Sequence, residues 1–572
     1  MYNNTKFIYK KRLYMLYPYE NLENFTLPAL LNRSATLYKD KKVLSKLSGE
    51  SMTYQELYDN VMQMIKVLKN NGIRKGDKVA LLSENMPNWA IAYFSVTYFG
   101  AVIVPILPDF NPADVQHIIR HSEAKAVIVS QKHLQTIEEL EDSNMKFVIK
   151  LDDLTLVDEL ANHSYIAKFH QTITDKISTK DLPKPQEDDM AALLYTSGTT
   201  GHSKGVMLSH KNLVTNSMSA YKNINIMPED TFLSILPLAH TLECTVGMIV
   251  PILHGADVVY IDKTPTPNVL IKAFEQVKPT MMLSVPLIIE KIYKNKVLPK
   301  LTGSALMKFL YGIPFIRRKL NKVAGKKLIE TFGGRLRFFG IGGAPLARYV
   351  EEFLKEAEFP YIIGYGLTET SPLIAGTRIG MPVKLGSTGL PMVGVEIKIN
   401  DPREDNGEGE IYVKSPSIML GYYKDEQQTA EVMENGWFKT GDLGYIDEDG
   451  YLFISGRSKN MILGPSGENI YPEQIETVIN EHETVLDSLV LQKDGKLIAR
   501  IHLDYELIDK MFKADNTPES EVKAKIDKLL EEMRVETNTK LASFSKISKF
   551  VEQIEPFVKT PTKKIKRYLY VD

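Results

Sequence analysis

Short apolar runs alternate with amphipathic segments of helical length over the first two thirds of the chain. The runs have the length and the residue content typical of buried strands, and segments such as 54–70 and 112–121 carry apolar residues at helical spacing. Because helices that connect successive strands cover the faces of a sheet, the alternation predicts an α/β fold with mainly parallel sheets. The predicted strands are 78–82, 101–105, 126–130, 190–194, 257–261 and 280–285.

From about Gly386 the pattern changes to short strands separated by Gly and Pro turns, as in STGLPMVGVEIKI and GEGEIYVKS. Such a pattern is typical of a small barrel or an antiparallel sheet. After Gly456 come mixed α/β elements and a lysine-rich tail, and a strand that ends in Gly-Arg favours a boundary near 455–459. We therefore predict a large N-terminal domain over 1–455, made of helix-covered, mainly parallel sheets and a small barrel-like β subdomain. Residues 456–572 are predicted to form a small α+β C-terminal domain.

An uncharged run of 18 residues, WAIAYFSVTYFGAVIVPI (89–106), raises the question of a membrane span. Its length is that at which a spanning helix becomes a candidate. However, Gly100 and Pro105 interrupt the run, and 101–104 is short and contains β-branched residues. The run is therefore predicted to form a buried helix over about 89–99 followed by a core strand.

Composition and charge narrow the classes of function. At 572 residues the chain is too long for one hydrophobic core, so two or more domains are expected. The formal net charge of −1 lacks the basic excess typical of general nucleic-acid binding, so no nucleic-acid partner is expected. Cys244 is the single cysteine, which fits a reducing cytoplasm. No apolar stretch follows the basic residues at 10–12, so no signal peptide is expected, and 1–14 is interpreted as a non-essential extension.

The segment 291–330 differs in charge from the rest of the chain. It contains eleven Lys and Arg residues and one acid, Glu330, interleaved with Leu, Phe, Tyr and Ile. A basic amphipathic helix can lie on anionic lipid, so peripheral membrane contact through this segment is one hypothesis. The alternative is a helical insertion whose basic outer face is solvated. The sequence leaves both open.

Candidate chemistry begins at LYTSGTTGHSKG (194–205), which directly follows a predicted strand. Glycines let a backbone approach a polyphosphate, hydroxyl and backbone N–H groups can bind its oxygens, and Lys204 adds a positive charge. The loop is not a Walker A motif, because Ser203 stands where that motif requires glycine. A solvated Ser/Thr/Gly linker is the alternative. The density of hydroxyl residues and glycines around one lysine favours phosphate binding.

Further motifs follow in the order LPLAH (236–240), GIGGAP (340–345), GYGLTET (364–370), WFKTGD (437–442), GPSGENIYPEQIE (464–476) and KTPTKKIKR (559–567). With the loop at 194–205, this set resembles the adenylate-forming acyl-CoA synthetase superfamily and, within it, the long-chain fatty acid–CoA ligases. The resemblance extends from about Pro28 to Arg567. It implies a mobile C-terminal domain and an enzyme of fatty acid metabolism that joins a fatty acid to CoA. ATP and CoA would be co-substrates, acyl-AMP the intermediate, AMP and pyrophosphate the by-products, and Mg²⁺ the cofactor.

The resemblance implies four catalytic residues. His240 is expected to gate the acyl pocket, and Thr368 to contact phosphate. Glu369 is expected to hold Mg²⁺, which takes carboxylate oxygen together with substrate phosphate oxygens. Lys564 is expected to reach the α-phosphate of ATP.

The resemblance also implies which residues contact the nucleotide, which residue forms the hinge and which residues contact CoA. Tyr365 suits stacking on adenine, and Asp442 can accept hydrogen bonds from both ribose hydroxyls, with Arg457 as the other ribose partner. Lys459 stands where the family has its hinge residue. The residues expected to bind ATP or AMP are Thr196, Ser197, Gly198, Thr199, Thr200, Gly201, Lys204, Gly343, Ala344, Pro345, Gly364, Tyr365, Gly366, Asp442 and Arg457, and those expected to meet CoA are Gly467, Glu468 and Asn469.

The chain departs from the family pattern at two positions. The phosphate loop has His202-Ser203 where a proline usually precedes the lysine, and Lys563 stands where glycine usually precedes the catalytic lysine. Neither change removes a group that the chemistry requires. In the lysine-rich tail, Lys563 and Lys566 are rivals of Lys564, which the alignment of the motif favours.

Several alternatives remain open at this stage. The acid could be of medium chain length or an aryl acid, because pocket depth cannot be read from the sequence. The acyl group could pass to a carrier protein instead of CoA, although no carrier domain is fused to the chain. A nucleotide-binding pseudoenzyme that acts as a fatty-acid-responsive scaffold would be indicated by loss of Glu369, Asp442 or Lys564, and all three are present.

Overall fold

The computed structural model describes residues 22–140, 144–157, 182–196, 203–263, 265–464, 468–512, 518–561 and 563–571. The N-terminal extension predicted at 1–14 lies outside these residues. Within them the chain alternates between strands and helices as far as Glu356 and then contains mostly strands until Ile470.

The strands belong to two large sheets, a smaller antiparallel sheet, a short hairpin and a three-stranded sheet. In chain order they are β1 (Lys42–Lys46), β2 (Ser51–Thr53), β3 (Lys78–Leu82), β4 (Val102–Ile106), β5 (Ala126–Val129), β6 (Phe147–Lys150), β7 (Thr155–Leu156), β8 (Met190–Thr196), β9 (Lys204–Ser209), β10 (Thr231–Ser234), β11 (Asp257–Tyr260), β12 (Met281–Ser284), β13 (Phe338–Ile341), β14 (Tyr361–Gly366), β15 (Leu373–Gly376), β16 (Leu390–Pro391), β17 (Glu396–Asn400), β18 (Gly409–Lys414), β19 (Gly421–Tyr422), β20 (Met433–Glu434), β21 (Trp437–Ile446), β22 (Leu452–Arg457), β23 (Ile462–Leu463), β24 (Asn469–Ile470), β25 (Val485–Lys493), β26 (Lys496–Leu503) and β27 (Lys549–Glu552).

The helices pack mainly against the large sheets and on the C-terminal sheet. They are α1 (Leu27–Leu37), α2 (Tyr54–Asn70), α3 (Pro87–Tyr98), α4 (Pro112–Ser122), α5 (Leu134–Glu138), α6 (His210–Ser219), α7 (Val250–His254), α8 (Pro267–Val277), α9 (Pro286–Ile292), α10 (Leu298–Thr302), α11 (Ala305–Tyr311), α12 (Pro314–Thr331), α13 (Arg348–Glu356), α14 (Glu426–Val432), α15 (Pro472–Ile479), α16 (Tyr505–Phe512) and α17 (Glu519–Lys540).

The two large sheets are parallel in their centres and antiparallel at their edges. One has the strand order β19-β9-β8-β4-β3-β5-β6-β7, in which β8, β4, β3, β5 and β6 are parallel neighbours. The other has the order β16-β15-β14-β13-β12-β10-β11-β1-β2, in which the strands from β14 to β1 are parallel. The central strands are apolar and buried, as expected where helices cover both faces of a sheet. The predicted α/β class with mainly parallel sheets is confirmed.

Local sequence explains where helices begin. Thr53 caps α2 by accepting a hydrogen bond from the Glu56 amide, while the Glu56 side chain accepts one from the Thr53 amide. Asn111 caps α4 in a similar way by accepting from the Asp114 amide, and a proline occupies the first turn of α4. These signals fix the starts of the two helices that the apolar spacing predicts.

The uncharged run at 89–106 forms a helix and then a strand, as predicted. Helix α3 is buried along its whole length, and β4 follows it as a central strand. The strand begins at Val102, one residue later than predicted, because the Ala101 amide still bonds the carbonyl of Val96 in the last turn of the helix. Within the described residues, no helix combines the length and the apolar character needed to cross a bilayer.

The region after Gly386 contains a five-stranded antiparallel sheet of β17, β18, β20, β21 and β22. Beyond it, β25, β26 and β27 form a separate sheet on which α15, α16 and α17 pack. The hydrophobic core of this last part is formed by residues between Ile462 and Phe550 alone. We refer to 456–571 as the C-terminal part.

Candidate active site

The predicted phosphate loop connects two paired strands. Thr196 ends β8 and Lys204 begins β9, and the two residues are direct partners in the antiparallel register. Residues 197–202 between them, which include the expected contacts Ser197, Gly198, Thr199, Thr200 and Gly201, lie outside the part of the chain that the structure describes. The structure therefore fixes where the loop leaves and re-enters the sheet.

Two glycine-containing segments follow neighbouring parallel strands, β13 and β14. Gly343, Ala344 and Pro345 are exposed just beyond β13, and Gly343 has a φ of 87°, which glycine adopts without strain. Gly366 ends β14, and a Cβ there would lie 1.9 Å from the carbonyl oxygen of Pro372, so only glycine fits. Ligands of open α/β sheets bind beyond the carboxyl ends of parallel strands, which is where both segments lie.

Asp442 is the centre of a buried polar cluster. It is paired in register with Arg457 across β21 and β22, and Arg457 Nε lies 2.8 Å from Asp442 Oδ1. The hydroxyl of Tyr365, on β14, donates to Asp442 Oδ2 at 2.6 Å. The Thr440 hydroxyl accepts from the Asp442 amide at 3.1 Å and donates to the Ile411 carbonyl. Strand pairing therefore holds this carboxylate in one position between the two sheets.

Electrostatics in this cluster follow from its burial. Burial raises the pKa of Asp442, while the positive charge of Arg457 and the hydrogen bond from Tyr365 oppose that shift. Burial also raises the pKa of Tyr365 well above its usual value, so this residue stays a hydrogen-bond donor. A buried carboxylate with one cation and one hydroxyl partner can still accept hydrogen bonds from a diol.

Glu369 and Lys204 are joined through Tyr422. Glu369 lies in the 3₁₀ turn Thr368–Thr370 directly after β14, and its Oε1 accepts from the Tyr422 hydroxyl at 2.9 Å. Lys204 Nζ lies over the Tyr422 ring, 5.4 Å from its centroid. Tyr422 is placed there because β19 pairs with β9, the strand that Lys204 begins. The base of the phosphate loop and the predicted metal ligand are thus parts of one arrangement.

The residues present fit a magnesium ion that is shared with a phosphate ligand. Glu369 Oε2 accepts no hydrogen bond from the described residues, so one carboxylate oxygen is available. In the same part of the chain, no group of three or more His, Cys, Asp or Glu residues could hold a metal by itself. A single carboxylate is sufficient when phosphates and water supply the other ligands, as is usual for Mg²⁺.

The tail forms a tight turn that carries Lys564 into the cleft. Lys559 pairs with Ile565, and the Thr560 hydroxyl accepts from the Lys564 amide at 3.1 Å. Lys559 Nζ binds the Asp487 carboxylate at 2.7 Å, and Arg567 binds Glu476, so both ends of the turn are fixed to the C-terminal part.

Lys564 and Lys563 point to different surroundings. Loss of solvation in the cleft and the positive charge of Arg457 lower the pKa of Lys564, while Asp442 and Glu369 oppose that shift. Both residues are exposed, but Lys563 has a φ of 63° and pairs with Asp109 at 3.2 Å instead of facing the carboxylates of the cleft. The geometry thus separates Lys564 from its nearest rival in the tail.

Four cations and two carboxylates share this cleft. Lys459 lies in the 3₁₀ turn Ser458–Asn460 after β22. Partial burial and the nearby positive charges of Arg457, Lys204 and Lys564 lower the pKa of Lys459. Such an excess of positive charge is what a polyphosphate requires. The residues of this charged cleft are Lys204, Glu369, Asp442, Arg457, Lys459 and Lys564.

His240 borders the charged cleft as a neutral imidazole. Burial and the charge of Lys564 lower the pKa of His240 to about 4. Its Nδ1 accepts from the Leu242 amide at 3.2 Å, so the proton of the neutral ring is assigned to Nε2. Asn85 holds the preceding loop by accepting from the Leu238 amide and donating to the Leu236 carbonyl.

A buried carboxyl group follows His240 in the π-helix Glu243–Ile249. Burial raises the pKa of Glu243 to about 8. Its Oε1 accepts from the Ser234 hydroxyl at 2.6 Å, and a Cβ at Gly247 would lie 2.7 Å from its carboxyl carbon. Glycine at this position therefore makes room for the carboxyl group inside the widened helix.

Asn469, one of the expected CoA residues, contacts Tyr471 and is not among the residues of the charged cleft. Gly467 lies outside the described residues. Glu468 and Asn469 follow it, and the Asn469 side chain donates to the Tyr471 hydroxyl, which bonds Glu408. Asn469 lines a shallow cavity of about 280 Å³ together with Glu408 and Ser458.

Some residues of the site carried no signal in the sequence. Tyr422 reaches Glu369 only through strand pairing, and Asn85 reaches the His240 loop from another sheet. Glu243 could have been noticed, because it is the one acid in the apolar segment between His240 and His254.

Comparison with known proteins gives a family match over most of the chain. The sequence model described as "AMP-binding enzyme" matches residues 31–423. The long-chain-fatty-acid–CoA ligase of Bacillus subtilis is 28% identical over 505 residues, which cover 82% of this chain and 83% of the relative. The long chain acyl-CoA synthetase 1 of Arabidopsis thaliana is 30% identical over 492 residues, which cover 78% of this chain and 73% of the relative.

Solved structures share the fold. The O-succinylbenzoate coenzyme A synthetase of Bacillus subtilis, in complex with ATP and a magnesium ion, superimposes with a TM-score of 0.71 at 23% identity. The alignment covers 94% of this chain and 98% of that one. The fold described above, including the C-terminal part, is therefore shared with that synthetase.

Proposed function

The chain belongs to the AMP-binding enzyme family, and on that premise we propose that it is a long-chain fatty acid–CoA ligase. The observation that carries this proposal is the charged cleft, where four cations from separate elements face Glu369 and Asp442. Adenylation of a carboxylic acid requires such a site, because a fatty acid and ATP are both negatively charged. A thiol cannot usefully attack a free carboxylate, since the oxygen that would leave is too basic.

The first step joins the acid to AMP. One carboxylate oxygen of the fatty acid attacks the α-phosphorus of ATP, the bond between the α-phosphorus and the bridging oxygen breaks, and pyrophosphate leaves. The protein neutralises charge and aligns the two anions. Lys564 is assigned to the α-phosphate, Lys204 with Thr196 and the loop after it to the outer phosphates, and Asp442 with Arg457 to the ribose. When bound by Glu369, Mg²⁺ would supply further positive charge to the phosphates.

Neighbouring residues orient the reactants. Tyr365 and the segments at 343–345 and 364–366 are assigned to the adenine, and Thr368 to a phosphate oxygen. His240 is neutral at physiological pH because its pKa is lowered to about 4. It can therefore donate from Nε2 to the acyl carboxylate without binding it as a permanent ion pair.

The second step transfers the acyl group to CoA. The CoA sulfur attacks the acyl carbonyl carbon, the bond to the AMP oxygen breaks, and the thiol proton is released. Lys564 occupies the cleft where the thiol would enter, while Asn469 lines the cavity beside Glu408. We propose that residues 1–455 and 456–572 are separate domains, and that the second turns about Lys459 to replace Lys564 by the CoA-binding loop that contains Gly467.

The substrate class is the finer part of the proposal. The names of the relatives from Bacillus subtilis and Arabidopsis thaliana support a long-chain fatty acid. An aryl acid is the second candidate, because the fold is shared with an O-succinylbenzoate ligase. A carrier protein as acyl acceptor remains the alternative to CoA.

The test is ATP–pyrophosphate exchange with a panel of acids. The panel contains saturated fatty acids of short, medium and long chain, benzoate and O-succinylbenzoate, each with Mg²⁺ and without CoA. We expect exchange to be fastest with long-chain acids, and addition of CoA to yield the corresponding thioester. Exchange with aryl acids alone would overturn the fatty acid assignment. Exchange with no acid of the panel would overturn the enzymatic proposal itself.

A further inference from the structure

The basic segment at 291–330 uses part of its charge inside the protein. Lys294 Nζ donates to the carbonyls of Asn480 and His482 in the C-terminal part. Arg317 binds Glu356 with two hydrogen bonds of 2.7 and 3.0 Å. These two cations therefore stabilise the fold and are not available to an external partner.

One face of α12 is docked firmly on the protein. Asn321, Gly325 and Leu328 are buried on this face. A Cβ at Gly325 would lie 2.3 Å from the carbonyl oxygen of Ala357, so the helix approaches the end of α13 as closely as glycine allows. The opposite face of the helix is consequently held in a fixed orientation towards solvent.

The outer surface has an apolar tip at the junction of α11 and α12. Leu306, Phe309 and Phe315 are 67%, 70% and 68% exposed, the highest values among the large hydrophobic residues that the structure describes. Ile313, between the two helices, is also exposed. Large apolar side chains that protrude together into solvent mark an interaction site rather than a packing feature.

A basic stripe continues from this tip along α12. Lys319, Lys322, Lys326 and Lys327 are exposed at helical spacing away from the docked face. Arg318, in contrast, pairs with Glu356 at 3.9 Å and belongs to the docked side. Lys319 Nζ lies 4.3 Å from the centroid of the Phe315 ring, which links the stripe to the tip. Lys322 pairs with Glu358, whereas Lys319, Lys326 and Lys327 make no ion pair with any residue that the structure describes.

We propose that the apolar tip and the basic stripe form a docking surface for an anionic lipid bilayer. The tip would enter the headgroup region, and the stripe would lie along the phosphates. Two observations favour a membrane over a protein partner: every charged residue from Arg317 to Lys327 is basic, and the most exposed large apolar side chains lie at one end of the stripe. A bilayer surface offers diffuse negative charge and an apolar layer beneath it, which matches both features.

Vesicle binding tests this surface with charge and apolar variants. The probes are vesicles of phosphatidylcholine alone and of phosphatidylcholine with an equal amount of phosphatidylserine, sedimented with the full chain at low ionic strength. The first variant carries Lys319→Glu, Lys326→Glu and Lys327→Glu, and the second carries Leu306→Ser, Phe309→Ser and Phe315→Ser. A matched control carries Lys493→Glu, Lys496→Glu and Lys510→Glu, which change the same charge on exposed lysines of the C-terminal part.

We expect the wild type and the control to sediment with the anionic vesicles and not with vesicles of phosphatidylcholine alone. The stripe variant should lose at least about 100-fold in affinity, since each basic residue near an anionic surface contributes about fivefold. The tip variant should lose about tenfold, because it removes apolar area and keeps the charge. All variants should keep the thermal unfolding transition of the wild type, because the substituted side chains are exposed.

Four results would overturn the proposal. The wild type does not bind anionic vesicles at low ionic strength, the control loses affinity as much as the stripe variant, or the stripe variant binds as the wild type does. A fourth is a wild-type dimer that the serine substitutions convert to monomers, because the tip would then be an interface between copies of this chain.

Discussion

The charged cleft and the basic stripe contain the same kinds of residue and organise them in opposite ways. In the cleft, cations from β9, β22, the turn after it and the tail converge on two carboxylates. On α12, cations from one helix diverge into solvent with few partners. A charge that is fixed and partly desolvated acts on one bond of one ligand, whereas exposed charges act together on a surface. The effect of removing a lysine on catalysis should therefore depend on where that lysine lies in the fold.

The largest effect is expected in the cleft, at Lys564. Lys564→Ala should slow adenylate formation by about 10²–10³, because a preorganised charge at the developing transition state has that effect on rate. Synthetic acyl-AMP with CoA should still give the thioester at close to the normal rate, since this step does not use Lys564. Lys563→Ala is the matched control and should change neither step, as that lysine pairs with Asp109. A selective loss in Lys563→Ala instead would place the catalytic lysine one position earlier.

A smaller effect, a loss of affinity for ATP, is expected from Asp442→Asn, which keeps the shape of the side chain and removes its charge. The affinity for ATP should fall about 10- to 100-fold, because hydrogen bonds with a charged group contribute about 1.5–3 kcal/mol each. The KM for the fatty acid should stay close to the wild-type value, since Asp442 faces the ribose in this account. Equal losses for both substrates would indicate a damaged fold rather than a nucleotide contact.

Glu243 differs from both regions, because it is a buried acid with neither the partners of the cleft nor the solvent of the stripe. Its folded-state pKa of about 8 lies above the ordinary value of 4.5. Between these values the unfolded chain has released a proton that the folded chain keeps, so the free energy of unfolding falls as pH rises towards 8.

Glu243→Gln removes this dependence and keeps an acceptor for Ser234. The stability of the variant relative to the wild type should therefore rise with pH from about 4.5 to 8, by up to about 1.4 kcal/mol per pH unit. Denaturant unfolding of both proteins across this range measures the difference, in which the shared histidines cancel. A difference that is constant with pH would show that Glu243 is already ionised in the folded protein.

The smallest effect on catalysis is expected on the stripe. Lys319→Glu, Lys326→Glu and Lys327→Glu together should change kcat/KM for a water-soluble acid by no more than about twofold. Such exposed substitutions usually change the free energy of unfolding by within about 0.5 kcal/mol and so leave the fold of the cleft intact. The assay is run without lipid or detergent. A tenfold loss of kcat/KM would contradict the view that only the cleft acts in catalysis, and would place the stripe in the path of a substrate.

The sequence predicts the bounds of a helix or strand well where local sequence patterns alone determine them. Helix α2 has the predicted bounds, and so does β3, because spacing, capping and strand length all agree there. The buried helix at 89–99 is confirmed as α3, one to two residues earlier at each end. The π-helix at Glu243 was not predictable, since it depends on how a carboxyl group fits over Gly247.

The sequence predicts the motifs of the site, but not the side-chain contacts that join one motif to another. Asp442, Arg457 and Tyr365 are brought together as the motifs imply, although their roles towards ATP stay predictions. The link from Lys204 through Tyr422 to Glu369 depends on the pairing of β19 with β9, strands far apart in sequence. Lys459, predicted from its position as a hinge, also adds its charge to the cleft, which no local pattern indicates.

The most direct test of the account is a single turnover of the wild-type enzyme, first without CoA and then with it. Enzyme in excess over a long-chain fatty acid is mixed with ATP and Mg²⁺, and acyl-AMP, pyrophosphate and AMP are measured in quenched samples. We predict that acyl-AMP and pyrophosphate appear in equal amounts without CoA, and that added CoA converts the acyl-AMP to acyl-CoA with release of AMP. Pyrophosphate that appears only after CoA is added, with no acyl-AMP at any time, would contradict this prediction.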